Sequence, residues 1–497
     1  MSSIFGALVQ PVPIEPIAAL GPVHFIAVGG AGMAPIAELY AGRGVRVSGS
    51  DRADSANLTR LREHGVTTHV GHAAAQLGAA QTVVVSSAIT ADNPEVEAAR
   101  AAGLRIWHRS TALAALMQPT SAAATRTGIA VGGTHGKTTT SGMLAHILLR
   151  TGADPGFVIG APLAQDRIAA ADGTGPFVVE ADESDGSFRQ YAADIAVVTN
   201  VEADHLDNWQ TPEAYAAGFV DFAEAAGRVV INIDDPGARQ LAFAVDAPVV
   251  PVGTDGTWSL ADVRYSGFGS RATLTGPDGQ WPLELIVPGR HNLDNALVAV
   301  VAAVLAGAEP GAAAAALADF RGTDRRFTPH GSAREVQVFD DYAHHPTELE
   351  ATLTAARAGA GTGRVLACFQ PHLFSRTRDF AAEFGAALAR ADETFLLPIF
   401  PAREEPIPGV DSALIAAPCR AAGGVVHEVA RADLVAAVTA AARPGDVILT
   451  LGAGDITHLA GPIVDALAAA GSDTADDSVP DTGAPDPNAP ERGADER

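Results

Sequence analysis

The run Gly132-Gly133-Thr134-His135-Gly136-Lys137-Thr138-Thr139-Thr140 constrains this chain more than any other feature. An apolar stretch at 128–131 leads into the glycines, and a helical pattern starts at Lys137. A glycine turn between strand and helix aims backbone N–H groups at phosphate oxygens, and the helix dipole adds to the attraction. Lys137 would neutralise β- and γ-phosphate charge, and the Thr138 hydroxyl would ligate Mg²⁺. The longer form of such a loop has a glycine five residues before Gly136, where this chain has Val131, so the loop is of a short kind.

Two acidic stretches gain meaning from that loop. Glu180-Ala181-Asp182-Glu183-Ser184-Asp185 follows an apolar strand at 177–180, where carboxylates can reach a metal across the carboxyl edge of a sheet. Thr199-Asn200-Val201-Glu202-Ala203-Asp204-His205 follows the next strand, at 195–200. Mg²⁺ favours oxygen ligands, and a histidine can serve a second site that is poorer in phosphate.

A chain of 497 residues exceeds one ordinary core, and alternating strand, turn and helix signals divide it into three pieces. The first has a strand at 24–28, the turn Gly29-Gly30-Ala31-Gly32, a helix at 33–43 and a strand at 45–49, with another at 83–85. Small polar residues at 118–126 read as a linker. The second piece adds strands at 128–131, 177–180, 195–200 and 229–233, an antiparallel stretch within 258–285 and a helix at 293–306. The third has strands at 336–340, 365–369, 393–397 and 447–451 between Ala-rich helices. The reading is α/β in three domains: a Rossmann-like domain at 1–120, a P-loop ATPase-like domain at 121–325 and a Rossmann-like domain at 326–471. A disordered acidic tail is expected at 472–497.

A net charge of −25 argues against a nucleic-acid partner, which needs clustered Lys and Arg. The first twenty residues lack a basic start and a long apolar run, and no stretch is long and apolar enough to span a bilayer, so a cytoplasmic protein without a membrane partner is expected. The two cysteines, Cys368 and Cys419, have no metal-type spacing and fit a reducing compartment.

Taken together, these motifs resemble the Mur ligase family from about residue 24 to residue 456. Gly133, Thr134, His135, Gly136, Lys137, Thr138 and Thr139 are similar to the family's short ATP loop. Glu180 and His205 stand where the family has Mg²⁺ ligands beside Thr138. The run Pro288-Gly289-Arg290-His291-Asn292-Leu293-Asp294-Asn295-Ala296 looks like its adenine-contacting stretch, with Asn292 and Asn295 as contacts. Arg325-Arg326-Phe327 resembles the boundary motif that carries a cation, here Arg326, toward the γ-phosphate. Asp340-Asp341-Tyr342-Ala343-His344-His345-Pro346, Phe369-Gln370-Pro371-His372, Ser375-Arg376-Thr377-Arg378 and Pro401-Ala402-Arg403-Glu404 are similar to the alanine-adding branch. Gly29, Gly30, Ala31, Gly32 and Met33, with Ser50, Asp51, Ser86 and Ser87, correspond to its UDP-sugar loops. Two departures stand out: Ala27 occupies the place of the loop's usual first glycine, and Leu373 that of an arginine in some members.

The resemblance implies an ATP- and Mg²⁺-dependent ligase, monomer or weak homodimer, that joins the lactyl carboxylate of UDP-N-acetylmuramate to L-alanine through an acyl phosphate. Lys137, Glu180, His205, Arg326 and His344 would be the catalytic residues, and Asp340 would join the ATP contacts. Tyr342, His344, Arg376 and Arg378 would hold the amino acid, since a guanidinium matches a carboxylate. His205 or His344 could take the amine proton. Two other readings compete: a ligase that attaches a preformed tripeptide to the same UDP-sugar, and an NAD(P)-dependent oxidoreductase prompted by Gly29, Gly32 and Asp51.

Overall fold

In the computed structural model, residues 4–119, 125–402 and 404–472 are described. Part of the expected linker, Arg403 and the expected tail beyond residue 472 lie outside them.

The described residues form four sheets. In the first, five parallel strands run in the order Thr67–Val70, Val47–Asp51, Val23–Ile26, Thr82–Val85 and Arg105–His108. The two strands at its edges escaped the sequence reading because Thr67–Val70 is largely solvated and Arg105–His108 opens on a charged residue. The expected strand at 45–49 begins at Val47.

The central sheet has seven strands, and the strand before the phosphate loop, Gly128–Gly132, lies near its middle. Phe177–Glu180 pairs with it on one side and Ile195–Val198 on the other, both parallel. These strands are buried on both faces, so they read as continuous apolar runs rather than as alternations. Their carboxyl ends release the phosphate loop and both acidic stretches along one edge, where open α/β sheets take their ligands. Val131 is inside the strand, paired with Glu180, and needs no glycine there. The helices Lys137–Arg150 and Arg290–Leu305 pack side by side. Next to them lies an antiparallel sheet of Ser259–Ser266, Gly269–Gly276 and Gly279–Leu285, as the sequence suggested.

The last sheet runs Thr328–Ala333, Val336–Asp341, Val447–Leu451, Val365–Phe369, Glu393–Leu396 and Val426–Glu428. Only Thr328–Ala333 is antiparallel to its neighbour, and Pro329 and Gly331 hid it from the sequence reading. One apolar cluster joins Phe25 and Tyr40 of the first piece to Phe177, Phe188 and Phe222 of the second, so these two pieces share a core. Both cysteines are buried and free.

Ala27, at the end of the first strand, has φ +59°, a left-handed conformation that costs a non-glycine residue about 1–2 kcal/mol. The chain therefore adopts the turn of a glycine-first loop without the glycine. Ala27→Gly is expected to stabilise the first sheet by roughly 1 kcal/mol, less the extra entropy of the unfolded glycine. Slower hydrogen exchange of the amides in Val23–Ile26 would report it, and faster exchange would contradict the strain.

Candidate active site

Two glycines fix the shape of the phosphate loop. Gly133 has φ +134°, and a Cβ there would lie 1.9 Å from Thr199 Oγ1. Gly136, the residue before the helix, has φ +80° and passes so close to Asn295 that a Cβ would sit 2.6 Å from its Oδ1. Asn200 holds the loop from the other side: its Oδ1 accepts from His135 N–H at 2.8 Å and its Nδ2 donates to His135 O at 2.9 Å.

The Lys137 ammonium is folded back on this loop. It donates to Gly133 O at 2.8 Å and Thr134 O at 2.9 Å, and pairs with Glu183 at 2.7 Å. Burial raises Glu183 to about 7 against the pull of Lys137. Glu183 belongs to the acidic stretch singled out in the sequence, but its pairing with Lys137 was not foreseen.

Thr138 donates to Glu180 Oε1 at 3.1 Å, and Glu180 Oε2 accepts from Gly160 N–H at 2.8 Å. A hydroxyl and a carboxylate this close form an oxygen donor pair that suits Mg²⁺. His205, at φ +53°, has Nε2 3.7 Å from Glu183 and 3.6 Å from Asp204, so its ring sits beside Glu183. Burial lowers the His205 pKa, helped by the charges of Arg376 and Lys137.

A cavity of about 380 Å³ opens beside the loop. It is lined by His135, Gly136, Thr139, Asn292, Asn295 and Arg326 among the expected ATP contacts. Asn200, Asp234, His291 and Glu348 add to that lining without having been assigned a role there. Arg326 lies in a strained segment, since Arg325 and Phe327 have φ +63° and +50°. Asp341 fastens this segment by accepting from Phe327 N–H at 2.8 Å, and Tyr342 N–H donates to Arg325 O at 2.8 Å. Asp340 is placed differently from the expectation. It is buried, accepts from Thr450 at 2.7 Å and Thr457 at 2.8 Å, and lies outside the cavity lining, where its neighbour Asp341 stands instead. Alternation along the strand Val336–Asp341 sends the two acids to opposite faces.

On the side of the last sheet, Tyr342 carries the guanidinium of Arg325 at 4.6 Å and of Arg326 at 5.2 Å from its ring centre. His344 contacts Tyr342 edge-on at 5.0 Å, and its Nδ1 lies 3.1 Å from Glu348. Arg376, nearly buried, donates from Nη2 to both oxygens of Asp204 at 2.9 and 3.1 Å and so ties the last domain to the loop before His205. Arg378 is not brought to this cluster: its side chain is 53% exposed and pairs with the adjacent Asp379.

In the first sheet, the Gly30–Gly32 turn is exposed and Gly29 N–H donates to Asp51 Oδ2 at 2.9 Å. Met33 is buried under the turn. Ser50 faces inward rather than toward that turn, donating to Glu95 Oε2 at 2.6 Å in a network with His24 and the partly exposed His72. A buried carboxylate must be supplied with donors, and Ser50 is one of them. Ser87 bonds Asp185 and lies 3.1 Å from His108, and Ser86 is half-buried beside it. Arg109, which the sequence reading passed over, reaches Asp182 at 2.7 Å and stands 3.1 Å from where a Cβ of Gly32 would be. It thus links the glycine turn of the first domain to the acidic stretch of the second.

Comparison with known proteins agrees with this geometry. Three family descriptions match in chain order: the catalytic domain of the Mur ligase family over residues 22–120, the Mur ligase middle domain over 131–303 and the Mur ligase glutamate ligase domain over 325–454. A UDP-N-acetylmuramate–L-alanine ligase of Cutibacterium acnes is 53% identical over 92% of this chain and 98% of its own length. One from Kineococcus radiotolerans is 51% identical over 92% and 98%. Among solved structures, the UDP-N-acetylmuramate–alanine ligase of Thermotoga maritima superposes with a TM-score of 0.73 at 26% identity, covering 90% of this chain and 99% of that one. A murein peptide ligase of Psychrobacter arcticus gives 0.65 at 27% identity over 90% and 99%. The chain belongs to the Mur ligase family.

Proposed function

We propose that this enzyme couples ATP cleavage to amide formation between the lactyl carboxylate of UDP-N-acetylmuramate and L-alanine, in the synthesis of peptidoglycan precursors. The observation that carries the reading is the cavity where the phosphate loop, the boundary residue Arg326 and the helix Pro346–Ala360 of the last domain converge. Relatives named for L-alanine are 44–53% identical over 90% or more of the chain, which favours L-alanine over a tripeptide as the acceptor. Nothing in an oxidoreductase would use the second loop at Gly133–Thr139.

In this reading the first domain holds the UDP-sugar, with Gly29–Met33 and Asp51 around the diphosphate. The middle domain holds ATP, with Asn292 and Asn295 against the adenine. The last domain presents the amino acid between Tyr342, His344 and Arg376. Thr138 and Glu180, with His205 nearby, would hold Mg²⁺, which supplies charge neutralisation to the phosphates when bound. Lys137 leaves Glu183 for the γ-phosphoryl group, and Arg326 approaches it from the domain boundary. Between them they spread the charge of the transferring phosphoryl while the sugar carboxylate attacks, so that catalysis rests on positioning and electrostatics. ADP departs, and the neutral alanine amine then attacks the acyl phosphate, expelling phosphate and giving up a proton to His205 or His344 as the amide forms. Cytoplasmic location and a monomer or weak homodimer belong to the same proposal; among the described residues no helix is long and apolar enough to cross a membrane.

Phosphate release with ATP and Mg²⁺ is expected only when both UDP-N-acetylmuramate and L-alanine are present. Release with the cell-wall tripeptide in place of L-alanine would move the enzyme to the peptide-attaching branch. Lys137→Ala should lower turnover by about 100-fold or more while circular dichroism stays that of the parent. Activity above about a tenth of the parent would remove Lys137 from the phosphoryl step.

The adenine side has a pH signature. Burial, and then the charge of Arg326, push His291 down to about 4, so the folded protein refuses a proton that the unfolded chain accepts near pH 6.5. This contribution to stability is present above the unfolded value and is lost as pH falls toward 4. His291→Gln should therefore lose less stability than the parent between pH 7 and pH 4, by up to ~3 kcal/mol, in urea denaturation. Equal losses would show that His291 is protonated in both states.

A further inference from the structure

Beside the ATP cavity, whose lining includes His135 and Glu202, lies a side-chain cluster that the reaction does not use. His135 comes from the phosphate loop, Glu202 from the loop after Ile195–Val198, and His345 from the residue before the helix Pro346–Ala360. One nitrogen or oxygen from each lies within 4.8 Å of the other two. His345 is 2% exposed and its ring nitrogens are sealed from solvent; the capping box at the start of its helix turns the ring toward the Glu348 N–H and leaves a ring nitrogen without a partner. A buried imidazole nitrogen with no partner is costly, and such a group in a native protein calls for something that satisfies it.

We propose that His135, Glu202 and His345 form a site for one divalent transition-metal ion of the zinc type, distinct from the Mg²⁺ position at Thr138 and Glu180. Two imidazoles and a carboxylate are a zinc-type ligand set, whereas Mg²⁺ favours oxygen alone. Zinc ligands at about 2.1 Å from the ion stand about 3.4 Å apart in a tetrahedron. His135 Nε2 and Glu202 Oε2 are already 3.2 Å apart, so only the ring of His345 has to draw in. Its ring centre is 4.8 Å from that of His135, tilted by 35°.

The surroundings have what such a site needs. His135 Nδ1, the nitrogen turned away from Glu202, faces Glu348 Oε1 at 3.3 Å, a carboxylate–histidine pair of the kind that orients metal-bound imidazoles. Glu202 Oε1 accepts from the Thr347 hydroxyl at 2.8 Å, which leaves Oε2 to point at the cluster. Binding the ion displaces the proton that His135 otherwise carries; with both rings then neutral, the charges of Glu202 and Glu348 balance a dication, so the bound state buries no net charge from this group. The ion would join the phosphate loop to the last domain and hold the cleft between them closed. The proposal stands on this cluster and does not depend on which amine the enzyme accepts.

The test uses the full-length protein stripped of metal, with Zn²⁺ competing against a chromophoric chelator in a large excess of Mg²⁺. One Zn²⁺ per chain is expected to remain bound, and His205→Ala should leave its affinity unchanged. Glu202→Gln and His345→Ala should each weaken it by about tenfold or more, with thermal melting of the metal-free variants showing that they fold. Because a variant can fail to fold, Co²⁺ added to the parent protein provides a second reading: intense visible absorption is expected from a tetrahedral site, and Zn²⁺ should abolish it. Displacement of Zn²⁺ by Mg²⁺, loss of binding in His205→Ala, or unchanged binding in both Glu202→Gln and His345→Ala would overturn the proposal.

Discussion

The carboxylate of Glu348, on the first turn of Pro346–Ala360, fixes how the last domain meets the middle one. It accepts the backbone N–H of His344 at 3.0 Å and of His345 at 3.3 Å, faces the His344 ring at 3.1 Å and His135 at 3.3 Å, and lies 3.7 Å from Arg326. A nearly buried carboxylate costs several kcal/mol unless its charge is met, and here the compensating groups come from three different parts of the chain. Burial works against this anion, yet His344 and His135 hold its pKa well below the usual range. Moving the last domain away from the phosphate loop removes His135 from Glu348 and exposes both. The closed cleft is thus favoured by electrostatics centred on this side chain, alongside the apolar packing of Phe268 on Phe327 and Phe339.

His135 is the complement of this arrangement. Burial disfavours its charge, but Glu202 and Glu348 on either side raise it to about 9. His345, stacked against it, is pushed down to about 4 by burial and by that same positive charge. Two histidines 4.8 Å apart are driven apart in pKa because only His135 is hydrogen-bonded by carboxylates, those of Glu202 and Glu348. Arg376 and Asp204 form a second link across the same cleft. Burial opposes the Asp204 charge, while His205 and Arg376 hold it well below the ordinary carboxylate range.

The phosphate loop was legible in the sequence because its chemistry is local. Gly133, Gly136, Lys137 and Thr138 sit within six positions, and strand and helix signals flank them. The parallel strands around it were legible for a related reason, since burial on both faces leaves an unbroken apolar run. Glu348, Glu183 and Arg109 could not be read in this way. Each acts on a residue far along the chain, Glu348 on His135, Glu183 on Lys137 and Arg109 on Asp182, and nothing in the local pattern marks the meeting. Ser50 and Asp340 show the converse limit. Motif position suggested a ligand contact for both, but a buried Glu95 captures the first and the Thr450 and Thr457 hydroxyls the second. A polar side chain at a strand end goes to the nearest unmet partner, and a sequence does not show where that partner is.

The pairing of Lys137 with Glu183 bears on how the lysine can serve a nucleotide at all. A buried ammonium needs an anion, and before phosphate arrives Glu183 supplies it at 2.7 Å. A strong, permanent pair would hold the lysine away from the γ-phosphoryl group, since breaking one leaves an uncompensated buried charge. Glu183 escapes that penalty because burial has already brought it to about 7, where its charged and protonated forms are close in free energy. In the proposed reaction, Lys137 turning to phosphate would let Glu183 take up a proton and become a neutral buried group. On that proposal the charge that has to move would be exchanged for a proton, so the loop would keep its lysine in place without holding it permanently.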